Sequence, residues 1–316
     1  EYTMIISASR RTDIPAYFSE WFLNRIEAQY AYVRNPMNIR QVSSISLSPE
    51  LVDCIVFWSK NPRPLMDRSE QLHNYMYYFQ FTLNAYGKEI EQNLPTLDER
   101  INTFQVLSEK IGRQRVIWRY DPVLLNDRYT ISWHAEQFDY IARKLCRHTD
   151  KVTISFIDLY RNITGAAKKE NLHELSSVQK EAIAEAFAAT AHACGLKIDT
   201  CAEDIDLSRW QIAHAHCIDG ELISRLLGCP VDAVKDKNQR LECGCMTGID
   251  LGLYNTCQNG CIYCYANHNP AARLRNLQAY DPASPLLCSQ LTEADKVTER
   301  KVKSLQYSFF DSIRIQ

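Results

Sequence analysis

Short apolar runs alternate with amphipathic stretches along most of the chain. Six runs rich in β-branched and aromatic residues have the length of buried strands and end in polar residues. They cover residues 4–9, 54–58, 77–83, 115–120, 152–157 and 196–200. Between them, apolar residues recur at helical spacing at 63–73, 97–110, 132–146 and 176–194. The pattern predicts a regular alternation of strands and helices.

Other parts of the pattern stand outside that alternation. Residues 19–28 have a helical period, and the strand-like pieces 30–34 and 41–47 are separated by Asn35-Pro36, which predicts a hairpin. Beyond the sixth strand, residues 211–217 and 218–227 have helical character. The alternation therefore ends near residue 205.

Repeated strand–helix units predict a parallel sheet with right-handed crossovers. Six units favour an α/β fold in which residues 4–205 form a partial (β/α)6 TIM-like barrel. Residues 206–316 would then form a C-terminal cysteine-rich segment packed on the barrel, within a single domain. A doubly wound open sheet is the alternative. Neither GxGxxG nor GxxxxGK[ST] is present, which weakens a dinucleotide-binding or NTPase interpretation.

Polar residues follow the ends of the predicted strands. In parallel α/β folds the carboxyl ends of the strands meet at one edge, where active sites lie. These residues could also be ordinary solvated loop residues, but their recurrence favours a shared polar site. They are Arg10, Arg11, Asp13, Lys60, Asn61, Asn84, Arg119, Asp121, Asp158, Asp199 and Glu203.

Composition narrows the classes of partner. The net charge is −2 and the pI about 6.5, so we expect no broad basic surface that would bind a nucleic-acid backbone. A small-molecule substrate is therefore favoured. No apolar run reaches membrane-spanning length and no charged-then-apolar leader opens the sequence, so we expect a cytoplasmic protein without membrane contact. The chain has twelve cysteines, and in such a protein clustered thiols are expected to be metal ligands rather than disulfides.

Three cysteines late in the chain have the spacing C-x3-C-x2-C: Cys257, Cys261 and Cys264. Each thiolate can hold one iron of a cubic iron–sulfur cluster, which leaves the fourth iron open to a substrate or cofactor. A closed zinc site or a four-cysteine electron-transfer centre would need a fourth protein ligand. The motif therefore predicts a [4Fe–4S] cluster with one open iron, with zinc binding or chance spacing as the alternatives.

The other cysteines fall into two sets. Four flank the motif and could hold a second iron–sulfur cluster, or could pack as small hydrophobic residues: Cys201, Cys217, Cys243 and Cys245. The remaining five lie in apolar or helical surroundings and are expected only to pack: Cys54, Cys146, Cys194, Cys229 and Cys288.

The motif Cys257–Cys264, with aromatic Tyr263 before its last cysteine, resembles the signature of the radical S-adenosylmethionine (SAM) superfamily. This resemblance implies that the open iron chelates SAM, that Tyr263 lies beside the adenine, and that a 5′-deoxyadenosyl radical is formed. Lys60 and Arg119 would neutralise the SAM carboxylate, and Asp121 would bind its amino group or ribose. The motif follows the last predicted strand here, whereas that superfamily usually has it after the first.

Over nearly its full length the chain resembles a bacterial radical SAM-like family with this C-terminal motif. The residues that carry the resemblance are 9–15 (SRRTDIP), 57–62 (FWSKNP), 119–122 (RYDP), 243–245 (CGC) and 257–267. One member makes the 7-deazaguanine base preQ1 from queuine, which implies a lyase with a low-potential electron donor such as flavodoxin or ferredoxin. Substrate ligands at strand ends would be Asp13, Asp158, Glu203, Arg11 and Asn84. The alternatives are radical chemistry on another small molecule or a nucleic acid, or a cysteine-rich electron-transfer or zinc protein without SAM chemistry.

Overall fold

The computed structural model describes residues 4–231, 234–237, 239 and 243–301. Its strands are β1 Ile5–Ala8, β2 Tyr30–Asn35, β3 Asn38–Ser46, β4 Cys54–Ser59, β5 Tyr77–Thr82, β6 Val116–Val123, β7 Lys151–Phe156, β8 Lys197–Thr200, β9 Ala213–His214, β10 Ile249–Asp250 and β11 Lys296–Glu299. Its α-helices are α1 Ile14–Tyr17, α2 Ser19–Ala28, α3 Arg63–Met66, α4 Leu97–Ile111, α5 Ile131–Leu145, α6 Thr164–Lys169, α7 Ser177–Ala193, α8 Gly220–Leu227 and α9 Pro270–Gln278.

Eight strands form one large parallel sheet in the order β10-β1-β4-β5-β6-β7-β8-β9. The six predicted strands are all present and lie side by side in chain order. That order contains no reversal of the kind that defines the switch point of a doubly wound sheet. The prediction of an α/β fold built on a parallel sheet is confirmed.

The predicted hairpin is also present. β2 and β3 pair antiparallel, and β11 joins β3 to make a separate three-stranded sheet. Because β11 comes from the end of the described chain, the C-terminal part is tied to the N-terminal part through this small sheet as well as through the large one.

Aromatic side chains fill the space between the large sheet and its helices. Phe57 of β4 stacks on Phe79 of β5 with ring centroids 4.8 Å apart. Phe138 of α5 lies between Trp118 and Phe187, with centroid distances of 4.8 and 4.0 Å. All five rings are almost completely buried, so hydrophobic burial and ring packing hold the helices on the sheet.

Two helix predictions are corrected. Residues 211–217 contain no helix: Gln211 has φ +59°, and Ala213 and His214 then extend beside β8, opposite Asp199 and Thr200. The helix predicted at 63–73 is broken into α3 and a 3-10 turn at Ser69–Leu72, because Arg68 leaves the helical conformation at φ −125°. Both segments have apolar residues at helical spacing, but the backbone conformations of Gln211 and Arg68 do not allow a continuous helix.

The part of the chain after residue 205 packs on the sheet through its own strands. It contributes β9 at one edge of the large sheet and β10 at the other. Among the described residues, no helix is both long and apolar enough to cross a membrane.

His134 on α5 provides a pH-dependent element of stability. It is fully buried, its Nδ1 lies 2.8 Å from the Tyr120 hydroxyl and its Nε2 2.7 Å from the Leu124 carbonyl. Burial lowers its pKa from 6.5 to about 4. Because the folded state holds the neutral ring, its contribution is present above pH 6.5 and is lost as the pH falls towards 4.

We expect the free energy of unfolding in urea to fall by about 2 kcal/mol between pH 7 and pH 5 on account of this residue. In a His134→Gln variant that part of the pH dependence should disappear, although the variant is less stable at pH 7. Equal slopes with pH in the two proteins would contradict the assignment.

Candidate functional site

The cysteine motif reaches the carboxyl edge of the large sheet through β10. β10 runs parallel to β1, with Ile6 opposite Ile249 and Ser7 opposite Asp250. The chain therefore leaves β10 at the same edge at which β1 and β4 end. The segment 251–269, which carries the motif, lies across this edge because its entry point is paired there.

Asp250 fastens this entry point to the end of β1. Its carboxylate accepts hydrogen bonds from Ser7 Oγ at 3.0 Å, Ser9 Oγ at 2.6 Å and the backbone N–H groups of Arg10 at 2.9 Å and Gly252 at 2.8 Å. One carboxylate thus joins two segments that are about 240 residues apart in sequence.

Replacing Asp250 by Ala would leave these donors without their charged acceptor, and we expect a loss of about 3 kcal/mol in the free energy of unfolding. Asp250→Asn, which keeps one carbonyl oxygen, should lose less. Urea unfolding of the two variants beside the wild type measures both effects. A change below about 0.5 kcal/mol for Asp250→Ala would mean that the carboxylate does not fasten the segment.

Asp13 connects the motif to the same edge. Its oxygens accept from Ser59 Oγ at 2.7 Å, Lys60 N at 2.8 Å and Asn259 Nδ2 at 3.0 Å, and it also caps α1. Burial raises the pKa of Asp13, and these donors oppose that shift. Asn259 lies inside the motif and also accepts from Tyr17 Oη at 2.9 Å. Asp13 as a substrate ligand stays a prediction; its observed partners position the cysteine loop.

The loop is also held from the β5–α4 connection. Asn93 donates from its backbone to Asn259 O at 3.0 Å and from its side chain to Gln258 O at 2.7 Å. Ile262 N donates to Ile90 O at 3.0 Å, and Glu91 and Cys261 form an isolated antiparallel bridge. These backbone contacts fix the course of the motif.

The three motif thiols lie within mutual electrostatic reach; Cys257 is buried, and Cys261 and Cys264 are half-buried. Burial raises the pKa of Cys257 to about 12, against hydrogen bonds from the backbone N–H groups of Asn259 and Asp13. Burial also raises the pKa of Cys264, against backbone N–H groups of Ala266 and Asn267. Each of these two sulfurs therefore faces backbone donors that stabilise a thiolate. Among the described residues, no three His, Cys, Asp or Glu side chains are already arranged around a single metal ion.

Tyr263 of the motif lies in a buried polar network. Lys60 Nζ donates to Tyr263 Oη at 2.7 Å and to Glu91 Oε1 at 2.9 Å, and the Tyr263 hydroxyl donates to the same carboxylate. Asn84 Nδ2 reaches Glu91 Oε1 at 3.2 Å and the Asp121 carbonyl at 2.8 Å. The predicted residues Lys60, Asn84, Asp121 and Tyr263 are thus brought together, around a glutamate that was not predicted.

Glu91 and Arg100 are the functional candidates that the sequence patterns missed. Glu91 is 2% exposed and pairs with Lys60 at 2.9 Å and with Arg100 at 3.5 Å. Burial alone would raise the pKa of Glu91, but the two cations hold it below its usual value, so it is a carboxylate. Neither residue follows a strand directly: Glu91 lies in a loop and Arg100 in the first turns of α4. No motif marked them.

Arg119 lies at a second cysteine group. Its guanidinium pairs with Asp121, which also accepts from Ser155 Oγ, and its Nη1 donates to Cys217 Sγ at 2.9 Å. Lys60, the other predicted cation, pairs with Glu91 instead. Of the two predicted ligands of the SAM carboxylate, Lys60 therefore lies near Cys261 of the motif and Arg119 contacts Cys217 of the other group. Their role towards SAM stays a prediction.

The remaining predicted substrate residues are dispersed. Asp158 and Glu203 line one cavity of about 280 Å³ at the ends of β7 and β8. Glu203 pairs with Lys180 at 3.1 Å and accepts from Phe156 N at 2.8 Å. Arg11 lies apart from this cavity, 5.1 Å above the Tyr254 ring, and donates to the Gly252 carbonyl at 3.3 Å.

The chain belongs to a family described as a domain of unknown function (DUF1848), whose sequence profile matches residues 5–266. No curated protein matches the sequence. A solved structure from Bacteroides thetaiotaomicron, described as a "putative alpha-L-fucosidase", is similar over 70% of this chain and 83% of its own, with 13% identity and a TM-score of 0.25. A likeness at that score carries no argument about fold or activity.

Proposed function

We propose that this chain is a radical SAM enzyme whose cluster is held by Cys257, Cys261 and Cys264. The observation that carries the proposal is the position of the cysteine loop, which is fastened by Asp250 and Asp13 across the edge where the strand ends collect. An active site at that edge is the rule for parallel α/β folds. When bound, such a cluster with SAM and one electron supplies a 5′-deoxyadenosyl radical that removes hydrogen from a substrate.

The donor set fits an iron–sulfur cluster. The three motif positions offer only sulfur, and the sulfurs of Cys257 and Cys264 each receive backbone N–H hydrogen bonds. Hydrogen bonds to ligand sulfurs are among the features that tune such clusters. Lys60 lies near Cys261 and lowers the pKa of that thiol, which burial alone raises well above its usual value. These features oppose the rise in pKa that burial causes at the three thiols.

The sheet supports the proposal at the level of the fold. Strands β1, β4, β5, β6, β7 and β8 neighbour one another in chain order, which is the order of strands in a (β/α) barrel. We propose a partial (β/α)6 barrel with β10 and β9 at its open edges. In this arrangement the segment that carries the motif follows β10, which pairs with β1, and it comes after all six barrel strands in the sequence.

The chain's own residues would then position and shield the reactants. The Lys60–Glu91–Arg100 ion pairs and the hydroxyl of Tyr263 form one buried unit beside Cys261, which fixes the aromatic ring of the motif. A ring held in this way can provide a flat surface for an adenine. The same unit also excludes water from this position. Exclusion of water favours radical chemistry, because the radical must react with its substrate and not with solvent.

The particular activity that we propose is that of queuine lyase, which releases preQ1 from queuine. The cavity lined by Asp158 and Glu203 supports a substrate with several N–H donors, because carboxylates are the natural acceptors for the guanine-like edge and for a charged amine. Hydrogen abstraction from the cyclopentene ring would weaken its bond to the bridging nitrogen.

The test is anaerobic reconstitution with iron and sulfide, followed by incubation with SAM, a reductant and queuine. We expect 5′-deoxyadenosine, methionine and preQ1. If 5′-deoxyadenosine forms without preQ1, the class stands and the substrate is wrong. If a reconstituted, iron-loaded protein forms neither product, the radical SAM proposal is wrong, and a cysteine-rich electron-transfer protein becomes the better account.

A further inference from the structure

A second group of cysteines gathers beside Arg119 of β6 and just beyond the carboxyl end of β8. Cys217 Sγ lies 3.4 Å from Cys201 Sγ, and Cys217, Cys243 and Cys245 pack in one buried cluster against which Cys201 lies. Met246 N, next to Cys245, donates to the carbonyl of Ile218, next to Cys217, at 3.0 Å. Four cysteines from three separate segments thus come together, although Cys201 and Cys245 are 44 positions apart in the sequence.

The surrounding residues hold these thiols in place. The Cys217 carbonyl accepts from Tyr78 Oη at 2.7 Å and from Gln80 Nε2 at 2.8 Å. The His216 ring lies 2.7 Å from the Gly244 carbonyl through its Nδ1, which ties the Cys243–Cys245 turn to the Cys217 segment. Cysteines that serve only as small hydrophobic residues do not need such polar positioning.

Two guanidinium groups face the thiols. Arg119 Nη1 donates to Cys217 Sγ at 2.9 Å. Arg10 and Arg119 lie 5.1 and 5.4 Å from the centroid of the Trp58 ring, which packs against the same buried cluster as these cysteines. Arg10 Nη2 is buried and has no hydrogen-bond partner among the described residues. A four-iron cluster with four thiolate ligands carries net negative charge, which two nearby cations offset, and the unused Arg10 donor would face it.

We propose that Cys201, Cys217, Cys243 and Cys245 hold a second iron–sulfur cluster that is closed by four protein ligands. The spacing favours a cluster over zinc, because structural zinc sites use C-x2–4-C pairs and the one short pair here is Cys243-Gly244-Cys245. Within the described part of the chain, no three of these sulfurs surround one point as single-ion ligands would. With no open iron, this centre binds no SAM.

The test isolates this centre by removing the motif. In a Cys257→Ala/Cys261→Ala/Cys264→Ala variant, reconstituted anaerobically, we expect about four irons and four sulfides per chain. Adding Cys217→Ala/Cys245→Ala should remove them. A matched double variant, Cys146→Ala/Cys194→Ala at the ends of α5 and α7, should keep the wild-type iron content.

A folded triple variant without iron, with stoichiometric zinc, or with a Cys201–Cys217 disulfide as its only product would overturn the second cluster. Circular dichroism reports whether the triple variant is folded. If it is not, iron analysis of Cys217→Ala/Cys245→Ala in the otherwise intact chain decides: half of the wild-type iron supports the second cluster, and undiminished iron overturns it. The radical SAM proposal fails separately, when the motif binds no cluster or the loaded protein does not respond to SAM.

Discussion

Replacing Cys261 by Ala is expected to reduce SAM cleavage by the reconstituted protein to the level of a protein-free control. Cys261 is the middle ligand of the motif, and its backbone forms the bridge with Glu91. Because the open cluster has only three thiolate ligands from the motif, the substitution removes one of the three. Iron content should fall by about four per chain. The assays are iron analysis and quantification of 5′-deoxyadenosine after anaerobic incubation with SAM and reductant.

The matched control is Cys194→Ala, a half-buried cysteine at the C-terminal end of α7. It should retain the iron and the activity of the wild type. SAM cleavage by Cys261→Ala at a rate near that of Cys194→Ala would show that the motif does not hold the reactive cluster.

Replacing Glu91 by Ala is expected to destabilise the protein by about 3–5 kcal/mol, because it leaves the charges of Lys60 and Arg100 buried without their shared carboxylate. The side chains of Glu91 and Arg100 are 1% and 2% exposed, so water cannot take over the role of the lost partner. Urea unfolding of the variant and the wild type under the same anaerobic conditions measures the difference.

An exposed ion pair provides the comparison. Arg63 and Asp67 lie 3.4 Å apart with side chains 50% and 64% exposed, so Arg63→Ala should change the free energy of unfolding by less than about 1 kcal/mol. Equal effects of Glu91→Ala and Arg63→Ala would contradict the view that the Glu91 network is a buried electrostatic unit.

The strands could be predicted because their signal is local. β4 and β5 are apolar on both faces, as strands covered on both sides require, and both are buried almost throughout. The two-residue strands β9 and β10 could not be predicted in this way. They are too short to have a period, and their pairing with β8 and β1 depends on contacts between distant segments.

The site shows the same division between local and distant information. Strand-end polar residues such as Lys60 and Asn84 do lie together, because parallel strands end at one edge. Glu91 and Asp250 gave no signal: each is a single acidic residue whose importance comes from partners far away in sequence. Asp13 was predicted for its position after β1, and it is engaged by Ser59 and Asn259.

The most direct test of the central claim is whether SAM reaches an iron. The measurement is the electron paramagnetic resonance spectrum of the reduced, reconstituted protein before and after addition of SAM. Because three thiolates leave one iron open, SAM is expected to change the spectrum of the wild type but not that of Cys261→Ala. A reduced cluster signal that is identical with and without SAM in the wild type would contradict the claim.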